Sequence, residues 1–189
     1  SARSAVYAPR GRRYLHQTAH REAGRKQHFE VLGRLLMAKV LMRQGEQVGL
    51  SELTIRDRVQ LVETQTAEPD QQPLSVRGDY VRVVDAQGPR AAVTVTGEPA
   101  RLSGRGLALT GPNVNLHRAS SRLWVDGSGQ MDVRLDRDLE GRPLATPGNL
   151  RIDFSRSMDF DGQTAEFDDA VRASGPGAQL DTKKLRVRF

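Results

Sequence analysis

Apolar residues recur two positions apart along most of this chain: Leu53, Ile55, Val59 and Leu61; Val93 and Val95; Leu107 and Leu109; Val114 and Leu116; Leu123 and Val125; Met131, Val133 and Leu135; Ile152 and Phe154; Met158 and Phe160. Successive side chains of a strand point to opposite faces, so this spacing predicts strands with one buried side. After Leu50 no segment shows the three-four spacing of an amphipathic helix. Residues 29–44 include VLGRLLMAKVLM, helix-like in composition, but Gly33 and the lack of a capping residue favour a strand there too. Gly111-Pro112, Arg118 to Ser121 and Asp126 to Gly129 separate neighbouring apolar pairs and read as turns between short strands. Asp161-Gly162 reads as a two-residue hairpin turn, because Asp-Gly tolerates the positive φ such a turn requires. The polar run DRDLEGRPLATP, residues 136–147, reads as a loop inserted on a rim, with Pro143 and Pro147 unsuited to a central strand.

An internal echo points to repetition. LSVRGDYVRV, from Leu74 to Val83, aligns without gaps on LDTKKLRVRF, from Leu180 to Phe189. Stacked strand-loop-strand units bury a continuous core and leave unpaired backbone groups on each end strand, where another chain can add.

Composition narrows the core. Aromatic residues make up 5% of the chain and mean hydropathy is -0.56, so Val, Leu, Ile and Met must supply most buried surface, which suits a thin, two-faced layer. With no cysteine there is no disulfide, thiolate nucleophile or cysteine zinc site. No run of about 18 apolar residues is present to span a membrane as a helix. The net charge of +6 suggests nucleic acid until it is located. Residues 1–28 hold seven basic residues (Arg3, Arg10, Arg12, Arg13, Arg21, Arg25, Lys26) against Glu22, so the whole excess lies there and the remainder is balanced. The expected organisation is a flexible basic tail over 1–28 and an all-β module over 29–189, continuing beyond the fragment, with no nucleic-acid partner.

No constellation for catalysis emerges. His16, His20 and His28 have helical spacing for a metal, but the segment is broken by Gly24 and no carboxylate joins them, so no metal site is expected. Asp159 with Asp161 and Asp168 with Asp169 suggest glycosidase carboxylates or a calcium loop; the latter needs glutamate at its twelfth position, where Ala170 stands. GRGLALTG lacks the context of a phosphate loop, and no GxSxG elbow occurs. The reading is therefore of a protein without catalysis or cofactor. Trp124 lies between Leu123 and Val125, so alternation places it on the opposite, outer face with Arg122 and Asp126, as a partner contact or packed beneath neighbouring chain.

The segments LSELTIRDRVQLVET, PLSVRGDYVRV, TVTGEPARLSGRGLALTGPNVNLHRASSRLWVDGSGQM and MDFDGQTAEFDDAVRA together resemble the OstA-like family of lipopolysaccharide-transport bridge proteins, over roughly Phe29 to Phe189. The resemblance implies an open, V-shaped β-jellyroll of stacked antiparallel strands in the periplasm or cell envelope. Its apolar groove would take the acyl chains of lipopolysaccharide or a similar acylated glycolipid, and like modules would join edge to edge by strand pairing. It implies groove residues Ile55, Val59, Val76, Val95, Leu109, Val114, Leu116, Val133, Phe154, Phe160 and Phe167, and a partner interface at Trp124, Leu185, Val187 and Phe189. It also gives the basic tail a place beside a membrane, after an N-terminal anchor outside this sequence. The competing expectations are a β-scaffold that stacks through its edges and binds no lipid, and a carbohydrate-active β-solenoid.

Overall fold

A computed structural model describes residues 2–7, 13–15, 28–43, 46–66, 71–85, 88–137 and 143–188. The described chain is all-β: β1 (Ala2–Tyr7), β2 (Arg13–Leu15), β3 (His28–Leu32), β4 (Leu35–Arg43), β5 (Glu46–Gln65), β6 (Ser75–Val84), β7 (Ala92–Gly104), β8 (Leu107–His117), β9 (Arg122–Asp126), β10 (Gly129–Arg137), β11 (Pro143–Phe154), β12 (Ser157–Phe160), β13 (Thr164–Gly175) and β14 (Ala178–Arg188). A single 3-10 turn, Arg118–Ser120, joins β8 to β9.

The pairing pattern shows how these strands are arranged. One edge of β8 runs against β7 throughout, while its other edge meets β10 at Leu107 to Thr110 and β9 at Asn115 to His117. In the same way one edge of β13 takes β14, and the other takes β12 at Ala165 to Asp168 and β11 at Arg172 to Ser174. Since β9 pairs β12 and β10 pairs β11, the hydrogen bonds close a six-strand antiparallel barrel, β8-β10-β11-β13-β12-β9, extended by the other strands. The barrel consists of two panels that share β8 and β13: a first panel holding β10 and β11, and a second holding β9 and β12. Upstream, β5 divides likewise, taking β3 along one half and β4 along the other.

Strands β5, β6, β7, β8, β13 and β14 cross from one panel to the other at a bend. The ladder shifts register at Arg56/Val59, Arg77/Tyr80, Thr96/Ala100 and Asp168/Val171, where bulges turn the strand. On β5 and β13 the bend is made by paired left-handed residues, Asp57 (φ 64°) with Arg58 (φ 53°) and Asp169 (φ 65°) with Ala170 (φ 43°). On β6 and β8 it is made by glycines that cannot carry a side chain: a Cβ at Gly78 would lie 2.6 Å from the Thr96 carbonyl oxygen, and one at Gly111 would lie 2.5 Å from Val125.

The sequence therefore misplaced some breaks. Gly111-Pro112 is a bend inside β8, not a turn, because pairing with β7 resumes beyond it at Asn113 opposite Thr96. Asp126 to Gly129 carries the chain straight from β9 in one panel to β10 in the other, and those two strands do not pair. Arg118 to Ser121 is a hairpin, as expected, closed by Ser121 in the left-handed region. The Asp161 turn is centred one residue later, on Gly162-Gln163: Asp161 N–H donates to the Thr164 carbonyl, and its carboxylate accepts from the Gln163 and Thr164 amides at 2.9 and 2.8 Å. Those two amides, Thr164 first, hold the Asp161 carboxyl below its usual pKa.

Within 136–147, expected as a loop, Asp136 and Arg137 end β10 and Pro143 to Pro147 begin β11; residues 138–142 lie outside the described residues. Both prolines avoid the ladder's demands. Pro143 is the first residue of its strand, and Pro147 falls in the register shift opposite Leu135/Arg137, beyond the reach of β13. Part of the expected tail is strand as well: β1 pairs β4 and β2 pairs β3, because the open edges of β3 and β4 offer unpaired backbone groups. His16 and His20 lie outside the described residues. The two echoing segments are strands that both cross the bend, but two residues out of step: Leu185, not the aligned Val187, shares a position with Val81 relative to the bend.

If the bend needs its glycines, Gly78→Ala should destabilise the protein by about 1–3 kcal/mol in urea unfolding. Gly175→Ala, whose Cβ would rest 3.8 Å from Leu150, should change it by about 0.5 kcal/mol or less.

Candidate functional site

Alternation on every strand directs one set of side chains to the space between the panels. In the second panel the row beside the bend, in register across the strands, is Leu36, Ile55, Val81, Val95, Val114, Val125, Met158, Phe167 and Leu185. Two residues further out runs a second row: Ala38, Leu53, Val83, Val93, Leu116, Leu123, Phe160, Ala165 and Val187. The first panel contributes Val76, Leu102, Leu109, Met131, Ile152 and Ala173 to a facing row. The two faces touch: the ring of Phe154, on β11 in the first panel, lies 5.7 Å from that of Phe167, on the second-panel half of β13. They form one continuous apolar cluster.

Burial in this cluster is most complete beside the bend, and in the second row only Leu53, Leu123 and Ala165 are buried. Ile55, Leu109, Val125, Ile152 and Met158 are fully buried, whereas Val83, Val93, Leu107, Val133, Leu150 and Phe160 are half-buried, and Leu116 is 37% exposed. Side chains beside the bend are covered by both panels, which meet there, and those further out are covered less. A bulge that adds one residue reverses which parity faces inward, so Leu107 and Leu109 but Val114 and Leu116 all point between the panels.

The structure places the residues assigned to a groove as follows. Ile55, Val59, Val76, Val95, Leu109, Val114, Phe154 and Phe167 are buried in the cluster; Val133 and Phe160 pack half-buried against it; Leu116 stands at its exposed margin. Of the interface residues, Leu185 and Val187 line the same face on β14, the strand with β13 as its one partner among the described residues. Phe189 lies outside the described residues. Trp124 is on the outer face, half-buried between buried Leu123 and Val125, with the Arg122 guanidinium 4.7 Å from its ring centre.

No family model, curated protein or solved structure matches this chain.

The outer faces carry charge. Glu52 on β5 accepts from Lys39 on β4 at 2.6 Å and from Arg82 on β6 at 2.7 Å, tying three strands together. Those hydrogen bonds, the Lys39 one first, hold the Glu52 carboxyl below its usual pKa. Asp159 pairs with Arg122, Asp168 with Arg156 and Lys184, and Asp169 sits in the β13 bend.

Sequence reasoning missed Glu63. Its side chain is 0% exposed at the inward phase of β5, two residues beyond Leu61, and it accepts from the Leu74 amide at 3.0 Å and from Arg105 at 3.2 Å. The signal was a carboxylate at an apolar position of the alternation. Burial without partners would cost several kcal/mol, so Arg105 and the Leu74 amide are what permit it.

Leu109→Ala, beside the bend, should cost about 2–5 kcal/mol of stability, and Leu116→Ala at the margin about 1 kcal/mol or less, measured by urea unfolding. A carboxyl with a lowered folded pKa stabilises above the unfolded value, about 4.3, and loses that contribution as pH falls through the folded value. Glu52→Gln should therefore cost about 1 kcal/mol at pH 7 and show a shallower loss of stability than the parent below about pH 4.

Proposed function

We propose that this chain is a non-catalytic module of the cell envelope that holds the acyl chains of lipopolysaccharide or a similar glycolipid between its two panels, as an open V-shaped β-jellyroll. The supporting observation is the burial gradient: the panels pack tightly at the bend and leave partly exposed Val93, Leu116, Val133, Leu150 and Phe160 at the margin. An acyl chain entering there would cover apolar surface at about 0.8 kcal/mol per CH₂. Periplasmic location accords with this reading; no helix among the described residues is long and apolar enough to cross a membrane.

Joining of like modules has its own support. Among the described residues β14 pairs β13 alone, so its outer edge offers unpaired backbone groups from Ala178 to Arg188, with Leu185 and Val187 continuing the apolar face to that edge. A second reading, a stacking scaffold with no lipid, is favoured by the tightness near the bend, where Ile55, Val95, Leu109 and Phe167 are each no more than 2% exposed.

Native mass spectrometry of the chain mixed with purified lipopolysaccharide separates the two. The transport reading expects a one-to-one adduct that Leu116→Glu with Phe160→Glu abolishes while the fold persists by circular dichroism. Absence of any adduct to the folded parent chain, or an adduct indifferent to those substitutions, leaves the scaffold.

A further inference from the structure

A recess lies on the reverse side of the first panel, with Leu107 and Val133 of the apolar cluster at its border. It has a volume of about 1130 Å³ and is bordered by Arg101, Arg105, Arg134 and Arg151, with Asp132 as the one carboxylate among the described residues that line it. Its floor is low because Ser103, Gly106 and Ala108 carry small or no side chains.

The charges do not cancel. Arg151 donates to Asp132 at 2.9 Å, and Arg105 is held by buried Glu63. The side chains of Arg101 and Arg134, both exposed, have no hydrogen-bond or ion-pair partner among the described residues. Arg101 also stands directly across the ladder from exposed Arg77, and like charges in that position destabilise a sheet. Two guanidiniums left without counter-charge among the described residues border a hollow that Gln71 and Asn149 also line.

We propose that this recess is a phosphate-binding site, in which Arg101 and Arg134 grip a doubly charged phosphate group. Guanidinium forks match phosphate oxygens bidentately, and a net local charge of two suits a phosphate dianion or a pair of phosphodiesters better than a lone carboxylate. Leu107 and Val133 border both this recess and the space between the panels, but the arginines that define the site face away from that space, so their test is separate from that of lipid carriage.

The test uses the full chain with inorganic pyrophosphate in calorimetry, and with phosphatidylglycerol against phosphatidylcholine vesicles in co-sedimentation, at low ionic strength. Arg101→Gln with Arg134→Gln should weaken binding of pyrophosphate, of the anionic vesicles, or of both about tenfold or more, while Arg118→Gln, an exposed arginine elsewhere, changes it by about twofold or less. Pyrophosphate binding alone identifies a free phosphate ligand; binding of anionic vesicles identifies a headgroup. The double variant should keep the parent's urea midpoint or raise it, because the repulsion from Arg77 is relieved. Failure of both probes to bind the parent, an equal loss in Arg118→Gln, or a midpoint that falls along with binding overturns the site.

Discussion

Six strands, β5, β6, β7, β8, β13 and β14, have to pass a bend without a side chain colliding with its neighbours, and the rest of the structure follows from how that is done. At the bend the backbones of adjacent strands approach so closely that Gly78 and Gly111 face a carbonyl oxygen and a valine methyl where a Cβ would be. On β5 and β13 consecutive left-handed residues turn the chain instead, at Asp57-Arg58 and Asp169-Ala170. Each left-handed non-glycine costs about 1–2 kcal/mol, so the strain must be offset by what the bend brings together.

What it brings together is the apolar face of one panel against that of the other. Val, Leu, Ile and Met supply most of the contact, with Phe154 and Phe167 meeting across the join. Because only one face of each panel is apolar, charge is displaced to the outer faces, where it links strands: Lys39, Glu52 and Arg82 across β4, β5 and β6, and Arg172 with Asp181 across β13 and β14. Pairs of this kind add little individually, and their consistent placement specifies which face turns outward.

The two proposed ligand sites divide along the same line. Apolar chemistry is confined between the panels and grades outward to a margin; phosphate chemistry is confined to the reverse side, where arginines outnumber their partners. Arg105 lies at the junction, its guanidinium bordering the recess while neutralising Glu63 on the inward side.

Period-two alternation determined that the chain is all-β, that one face is apolar, and that Trp124 lies opposite Leu123 and Val125, because these depend only on neighbours along a strand. Alternation could not tell a bend from a turn. Gly111-Pro112 and Arg118 to Ser121 look alike as sequence, yet the first continues a strand and the second reverses it; the difference lies in whether pairing with β7 resumes beyond the break. The strand at Ala2–Tyr7 and the first part of β11, Pro143 to Pro147, were hidden for a related reason, since their partners β4 and β10 supply the hydrogen bonds that their own composition does not advertise. The arginines of the recess are scattered from Arg101 to Arg151, and only the register of β7, β8, β10 and β11 makes them neighbours. Local pattern fixes the face of each residue; which faces meet is a matter of contacts distant in sequence, which tertiary structure alone decides.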